Sequence, residues 1–132
     1  MILIDANVLI DVLTDDPEWR AWSEERLLAA AAEQELAINP LIYAELAPLY
    51  RTASALERAL RNFDLVRLPL PYEAGFLAAQ AFVAYRRSGG TKRSPLPDFY
   101  IGAHAQVEAM RLLTRDATRY RTYFPKVTLI TP

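Results

Sequence analysis

Apolar residues fall into two patterns along the chain. Short apolar runs at residues 1–4, 36–38, 65–68, 112–114 and 127–130 read as buried strands. Between them, apolar positions recur at helical spacing. Ala74, Leu77, Ala78, Ala81, Phe82 and Tyr85 lie three and four apart and predict a helix over residues 72–87. Residues 7–13 read as a first helix, with Asp5 in the turn before it. Asp16-Pro17-Glu18 offers an N-cap, a proline at the first helical position and an acid in the first turn, which predicts a helix running to about Gln34. Asn39-Pro40 repeats that signal and opens a helix carrying Glu45. Ser54 and Glu57 have capping-box spacing and open another. Pro69 and Pro71 close the third strand, and residues 98–109 form the last predicted helix. Residues 88–97 are the clear loop, holding Gly89, Gly90, Pro95 and Pro97. Strands alternating with helices predict a three-layer α/β fold, with helices flanking a central parallel sheet of about five short strands.

Composition narrows the class further. The chain has 132 residues, which suits a single domain spanning 1–132. It is 52% hydrophobic and 23% charged, so it can bury a core and is not a disordered chain. There is no cysteine, which removes disulfides and thiolate chemistry. The N-terminus carries no basic leader, and the apolar stretches at 27–32 and 74–85 are too short or too interrupted to span a bilayer. A cytoplasmic protein without membrane contact is the expectation. No serine sits in a nucleophile elbow and no glycine-rich loop is available to cradle phosphates, so covalent catalysis and nucleotide switching lack support.

The candidate chemistry lies in four acids beside apolar segments: Asp5, Glu45, Asp98 and Asp116. Asp5 follows Ile2-Leu3-Ile4, and Asp116 follows Leu112-Leu113-Thr114-Arg115, so each stands where a strand leaves the sheet. That edge is where open α/β sheets bind ligands. Two negative charges ~4 Å apart repel by about 4 kcal/mol at an effective dielectric near 20. Such a cluster persists only if something offsets it, and a hard divalent cation does so through carboxylate oxygens. Taken singly, Asp5, Asp98 and Asp116 could each cap a helix or turn, and Glu45 could be a solvated helix residue. Taken together, three of the four would mark one edge of a parallel sheet. Asp11, Asp15, Asp16 and Asp64 read as surface or capping acids. His104, the single histidine, lies six residues after Asp98, roughly 240° around a helix, and should point away as a structural residue. Trp19 and Trp22 read as packing residues.

The segments Asp5-Ala6-Asn7-Val8-Leu9-Ile10-Asp11, Glu45, Pro97-Asp98-Phe99-Tyr100-Ile101-Gly102-Ala103 and Thr114-Arg115-Asp116, taken in order, resemble the PIN-domain ribonucleases, specifically the VapC-type toxins. The resemblance spans nearly the whole chain. It implies a Mg²⁺- or Mn²⁺-dependent endoribonuclease with a PIN-like fold, a homodimer held silent by a VapB-like antitoxin. By matching positions, Asp5, Glu45, Asp98 and Asp116 are the catalytic metal ligands, Asn7 supports the first acid and Thr114 orients the last. Asp5 and Asp98 form the central pair, Asp116 positions a water, and Glu45 binds a second ion or accepts a proton. Arg115 departs from the pattern, since many members have Asn there. The chemistry is coherent without the resemblance, because phosphodiester hydrolysis needs an activated water and positive charge on the phosphoryl oxygens. Setting the four acids aside leaves 12 acids against 15 bases, a surplus of three. Arg86, Arg87, Lys92 and Arg93 flank the loop leading into Asp98 and are candidates to grip an RNA backbone. Arg111, Arg115, Arg119 and Arg121 form the other basic group. Two other readings remain: an RNA-processing nuclease without an antitoxin, and a PIN-like scaffold that binds without cleaving. A phosphoacceptor receiver domain fails, because Asp5 is followed by Ala6 and the third strand runs into Pro69.

Overall fold

The structure, a computed structural model, describes residues 1–94 and 96–132. Pro95, assigned by sequence to the loop before Asp98, lies outside the described residues. The elements run β1 (Ile2–Ile4), α1 (Ala6–Leu13), α2 (Arg20–Glu33), β2 (Leu36–Ile38), α3 (Pro40–Leu46), a 3-10 turn (Ala47–Leu49), α4 (Ala53–Leu60), β3 (Leu65–Arg67), α5 (Tyr72–Arg87), α6 (Pro97–Val107), β4 (Arg111–Leu113), α7 (Thr118–Tyr123) and β5 (Leu129–Ile130). All strand pairs are parallel, in the order β3-β2-β1-β4-β5. The alternating α/β architecture therefore holds.

β1 lies at the centre because it can be covered on both faces: Ile2, Leu3 and Ile4 are fully buried, as strands of an all-parallel sheet must be. The chain runs outward from β1 through β2 to β3, then returns to place β4 on the other side of β1, with Ile4 opposite Leu113. The sheet order thus reverses between β1 and β4. A crevice opens at the carboxyl ends of the strands at such a switch point. Asp5 follows β1 and Thr114 follows β4, so both face that crevice.

Around the sheet, α5 packs on α6, and α1 packs on α2 and α3. Phe99, Tyr120 and Phe124 are the largest fully buried side chains. Gly102 in α6 permits their closeness, since a Cβ there would stand 2.4 Å from the Phe124 ring. Among the described residues, no helix is long and apolar enough to cross a membrane.

Four local expectations are corrected. The N-cap of α4 is Thr52, whose hydroxyl accepts from the Ala55 N–H, rather than Ser54. Glu57, the other half of the expected capping box, pairs with Arg67 instead. Asp16 spends its side chain on the N–H groups of Glu18 and Trp19 in a turn, and α2 starts only at Arg20. Asp11, expected at the surface, is 1% exposed. Its carboxylate accepts from Ser23 Oγ at 2.7 Å and from Arg115 Nε and Nη2 at 2.9 and 3.1 Å, which makes its burial tolerable. α7 follows no predicted element.

Candidate active site

Asp5 leaves β1 in an extended conformation and does two things at once. Its Oδ1 accepts the Ala6 N–H at 2.8 Å, capping α1. Its Oδ2 accepts hydroxyl protons from Thr114 and Tyr120, each at 2.9 Å. The Thr114 hydroxyl in turn accepts the Asp116 N–H at 3.2 Å, and Asn7 Oδ1 accepts the Arg115 N–H at 3.0 Å. The turn after β4 is therefore stitched to the turn after β1. Arg115 supplies the other anchor through its two bonds to Asp11, with its guanidinium 5.3 Å from the centre of the Trp19 ring.

Burial pushes the Asp5 carboxyl up to about 6, although its hydrogen bonds to Thr114 and Tyr120 oppose the shift and the charge of Asp98 adds to it. Glu45, half-buried on α3, is pushed to about 7 by burial first and then by the charges of Asp5 and Asp98. Asp98 stands in the first turn of α6. Burial raises its carboxyl, Arg119 and Tyr120 pull it back, and the charge of Asp116 adds to the rise. Asp116 is exposed, and its Oδ1 accepts the Thr118 N–H at 3.3 Å. Asp5 therefore senses the charge of Asp98, Glu45 that of Asp5 and Asp98, and Asp98 that of Asp116.

Oxygen donors that repel one another and resist ionising suit a hard divalent cation, whose charge would reverse both effects. The donor chemistry fits such an ion. The arrangement is not a closed ligand set, because among the described residues no group of three or more His, Cys, Asp and Glu side chains could hold a metal as they stand. Asp5 faces its hydroxyl donors, and Asp98 Oδ2 accepts from Arg119 Nη1 at 3.3 Å.

Tyr120 escaped sequence reasoning, and Arg119, read there only as one of the second basic group, takes a specific place here. Tyr120 is buried, 2.9 Å from Asp5 Oδ2 and 3.4 Å from Asp98 Oδ1, so its one phenolic proton serves Asp5 first. Arg119 lines a cavity of about 480 Å³ with Tyr85, Asp98, Asp116, Thr118, Thr122 and Tyr123. Both belong to α7, and the spacing of Tyr120, Tyr123 and Phe124 is the signal that could have found it.

His104 points elsewhere, as expected: it is buried, with Nδ1 3.0 Å from Asn39 Nδ2, and burial lowers its pKa. Trp19 and Trp22 are half-buried and meet edge to face at 6.1 Å. The basic loop is exposed, but Arg86 donates to the carbonyls of Gly90 and Lys92 at 3.3 and 2.9 Å and so shapes the loop itself. Arg87, Lys92 and Arg93 are exposed around it.

The family model of the PIN domain matches residues 2–125. Among solved structures, the chain is similar to VapBC2 from Rickettsia felis bound to a DNA fragment from their promoter, at 18% identity and a TM-score of 0.76, over 100% of this chain and 99% of that one. It is similar to VapBC-1 from nontypeable Haemophilus influenzae at 16% identity and a TM-score of 0.74, over 99% and 98% of the two chains. A toxin-antitoxin complex from Klebsiella pneumoniae matches at 22% identity and a TM-score of 0.65, over 100% and 98%. Likeness at these identities is a likeness of fold. No curated protein matches the sequence.

Proposed function

The chain belongs to the PIN-domain family, and from that premise we propose that it is a divalent-metal-dependent endoribonuclease, the toxin of a toxin–antitoxin pair. The observation that carries this reading is the group of Asp5, Glu45 and Asp98 at the carboxyl edge of the sheet, each carboxyl raised first by burial, with the charge of Asp98 adding at Asp5 and the charges of both aspartates adding at Glu45. Asp5, Glu45, Asp98 and Asp116 would hold Mg²⁺ or Mn²⁺, which when bound would supply positive charge for the phosphoryl group and an activated water near neutral pH. The other residues work on the acids. Thr114 and Tyr120 fix the Asp5 carboxylate, Asn7 ties the two turns together, and Arg115 anchors the second turn on Asp11. The basic loop with Arg87, Lys92 and Arg93 is the proposed approach for the RNA backbone.

Three similar structures are named for VapBC or a toxin-antitoxin complex, which supports a VapB-like antitoxin for this chain; a homodimer acting in the cytoplasm is part of the same proposal. Arg119 on Asp98, with no ready ligand set among the described residues, favours a second reading in which the fold binds RNA without cutting it.

One experiment separates the two: the purified chain with labelled single-stranded RNA in Mg²⁺, Mn²⁺ or excess EDTA. Cleavage is expected with metal and not in EDTA. Asp5→Asn or Asp98→Asn should slow it by about 10²-fold or more, the scale on which losing one charge-stabilising group slows an enzyme. Binding without cleavage under every metal condition selects the scaffold, and cleavage that persists in EDTA removes the metal mechanism.

A further inference from the structure

Arg119 is held by its acid more loosely than Arg115, Arg67 and Arg111 are by theirs. Arg115 grips Asp11 through two bonds at 2.9 and 3.1 Å, Arg67 grips Glu57 through two nitrogens, and Arg111 meets Glu33 at 2.7 Å. Arg119 meets Asp98 through one nitrogen at 3.3 Å, long for a charge-assisted bond. Like Arg67 on Tyr43 and Arg115 on Trp19, it also rests on aromatic rings, here two of them. The guanidinium carbon lies 5.8 Å from the Tyr85 ring centre and 5.7 Å from that of Phe99. Those rings are themselves locked edge to face at 5.5 Å, and Tyr123 meets Phe99 at 5.4 Å.

The guanidinium therefore rests on a rigid wall of the cavity that Asp98 and Asp116 also line, with its side chain 35% exposed. Among the described ion pairs, it is the one cation paired with any of the four acids. A cation drawn to Asp98 would take away its single carboxylate partner and leave its aromatic support in place. What remains is a planar fork of N–H donors, matched to the oxygens of a phosphodiester.

We infer that Arg119 is the phosphate-gripping residue of this site, parked on Asp98 while the acids carry no cation and turned to a backbone phosphate of single-stranded RNA once a divalent cation occupies that carboxylate. The inference rests on the ribonuclease reading above. It couples the two ligands: the cation frees the arginine, and the arginine competes with the cation.

The test compares the wild-type chain, Arg119→Gln and Arg119→Lys. The probe is a short fluorescein-labelled 2′-O-methyl phosphorothioate RNA strand, followed by anisotropy and checked on a gel for integrity. In excess Mg²⁺, Arg119→Gln should bind about tenfold more weakly, the scale of one charge-assisted contact. Its salt slope should fall by about 0.7, the value of one single-strand phosphate contact. In EDTA the two proteins should agree within about twofold, because a partly exposed ion pair is weak. Calorimetry with Mn²⁺ alone should show Arg119→Gln binding the ion about two- to fivefold tighter. Arg119→Lys keeps the charge and loses the fork, so it should recover less than half of the lost RNA affinity. It also carries the test if the Gln variant fails to fold.

Equal losses in EDTA and Mg²⁺ would mean a plain electrostatic contribution and overturn the switch. Unchanged RNA affinity in Mg²⁺, or weaker Mn²⁺ binding by the Gln variant, would overturn the role altogether. Wild-type chain that cuts RNA while the variants bind like it removes Arg119 and leaves the ribonuclease reading standing. Wild-type chain that neither binds nor cuts RNA removes both.

Discussion

The carboxyl of Asp5 caps α1 through one oxygen and takes two hydroxyl protons on the other, yet burial still leaves it at about 6. Glu45 stands at about 7. Both folded values lie above the ordinary 3.8 and 4.5, so folding favours the protonated forms. Their contribution to stability is complete below about pH 4 and is lost as pH rises through 6 and 7. His104 works the other way: burial lowers its pKa, so its contribution is present above 6.5 and lost as pH falls. Comparing two variants at each pH cancels the histidine. In EDTA, Asp5→Asn should gain on wild type between pH 4 and pH 8 by up to about 3 kcal/mol, two pKa units at about 1.4 each. Urea unfolding at each pH measures this, and Asn preserves the helix cap. A difference that stays constant across the range contradicts a raised carboxyl at Asp5. At this scale the acids were legible because an acid ending an apolar run is conspicuous. Asp11 was misread, because nothing local shows that Arg115, 104 residues away, will arrive to pair with it.

Elements were legible where periodicity or a cap announced them. α5 occupies 72–87 as its apolar spacing predicted, and Asn39 caps α3 by accepting the Ile42 N–H. α7 was missed for the opposite reason, since the spacing of Tyr120, Tyr123 and Phe124 was its one faint signal. Thr118-Arg119-Tyr120-Arg121 shows little apolar pattern, and Ala117 before it caps nothing. Tertiary burial of Tyr120 and Phe124 holds this helix where local preference does not. α4 shows how a plausible signal can sit two residues off. Thr52→Ala should cost about 1 kcal/mol, the usual loss of an N-cap, while Ser54→Ala, inside the helix, should stay within about 0.5 kcal/mol. Thermal or urea unfolding of both variants checks the assignment, and equal costs, or the larger loss at Ser54, would contradict it.

For the whole molecule, the alternation of strands and helices was enough to predict a parallel α/β sheet. The strand order was not read from sequence, since three-residue strands carry little pairing information and β1 could equally have been drawn at an edge. The family match over residues 2–125 and the toxin–antitoxin complexes among similar structures motivate a test in cells. Expressing this chain alone should arrest bacterial growth, while Asp98→Asn should not. Arrest by both forms would place the harm outside catalysis, and harmlessness of both would sink the toxin role while leaving in vitro cleavage to a processing enzyme. The placement of β4 beside β1 has a further consequence, in the order of synthesis. Ile4 waits for Leu113, and Asp5 waits for Thr114 and Tyr120. Contacts so distant along the chain form late, after the cost of closing a long loop has been met. A chain growing from its N-terminus therefore carries Asp5 through most of translation without the partners that hold it. The grouping of acids around Asp5 is therefore unassembled until the segment from Thr114 to Phe124 has left the ribosome and folded back.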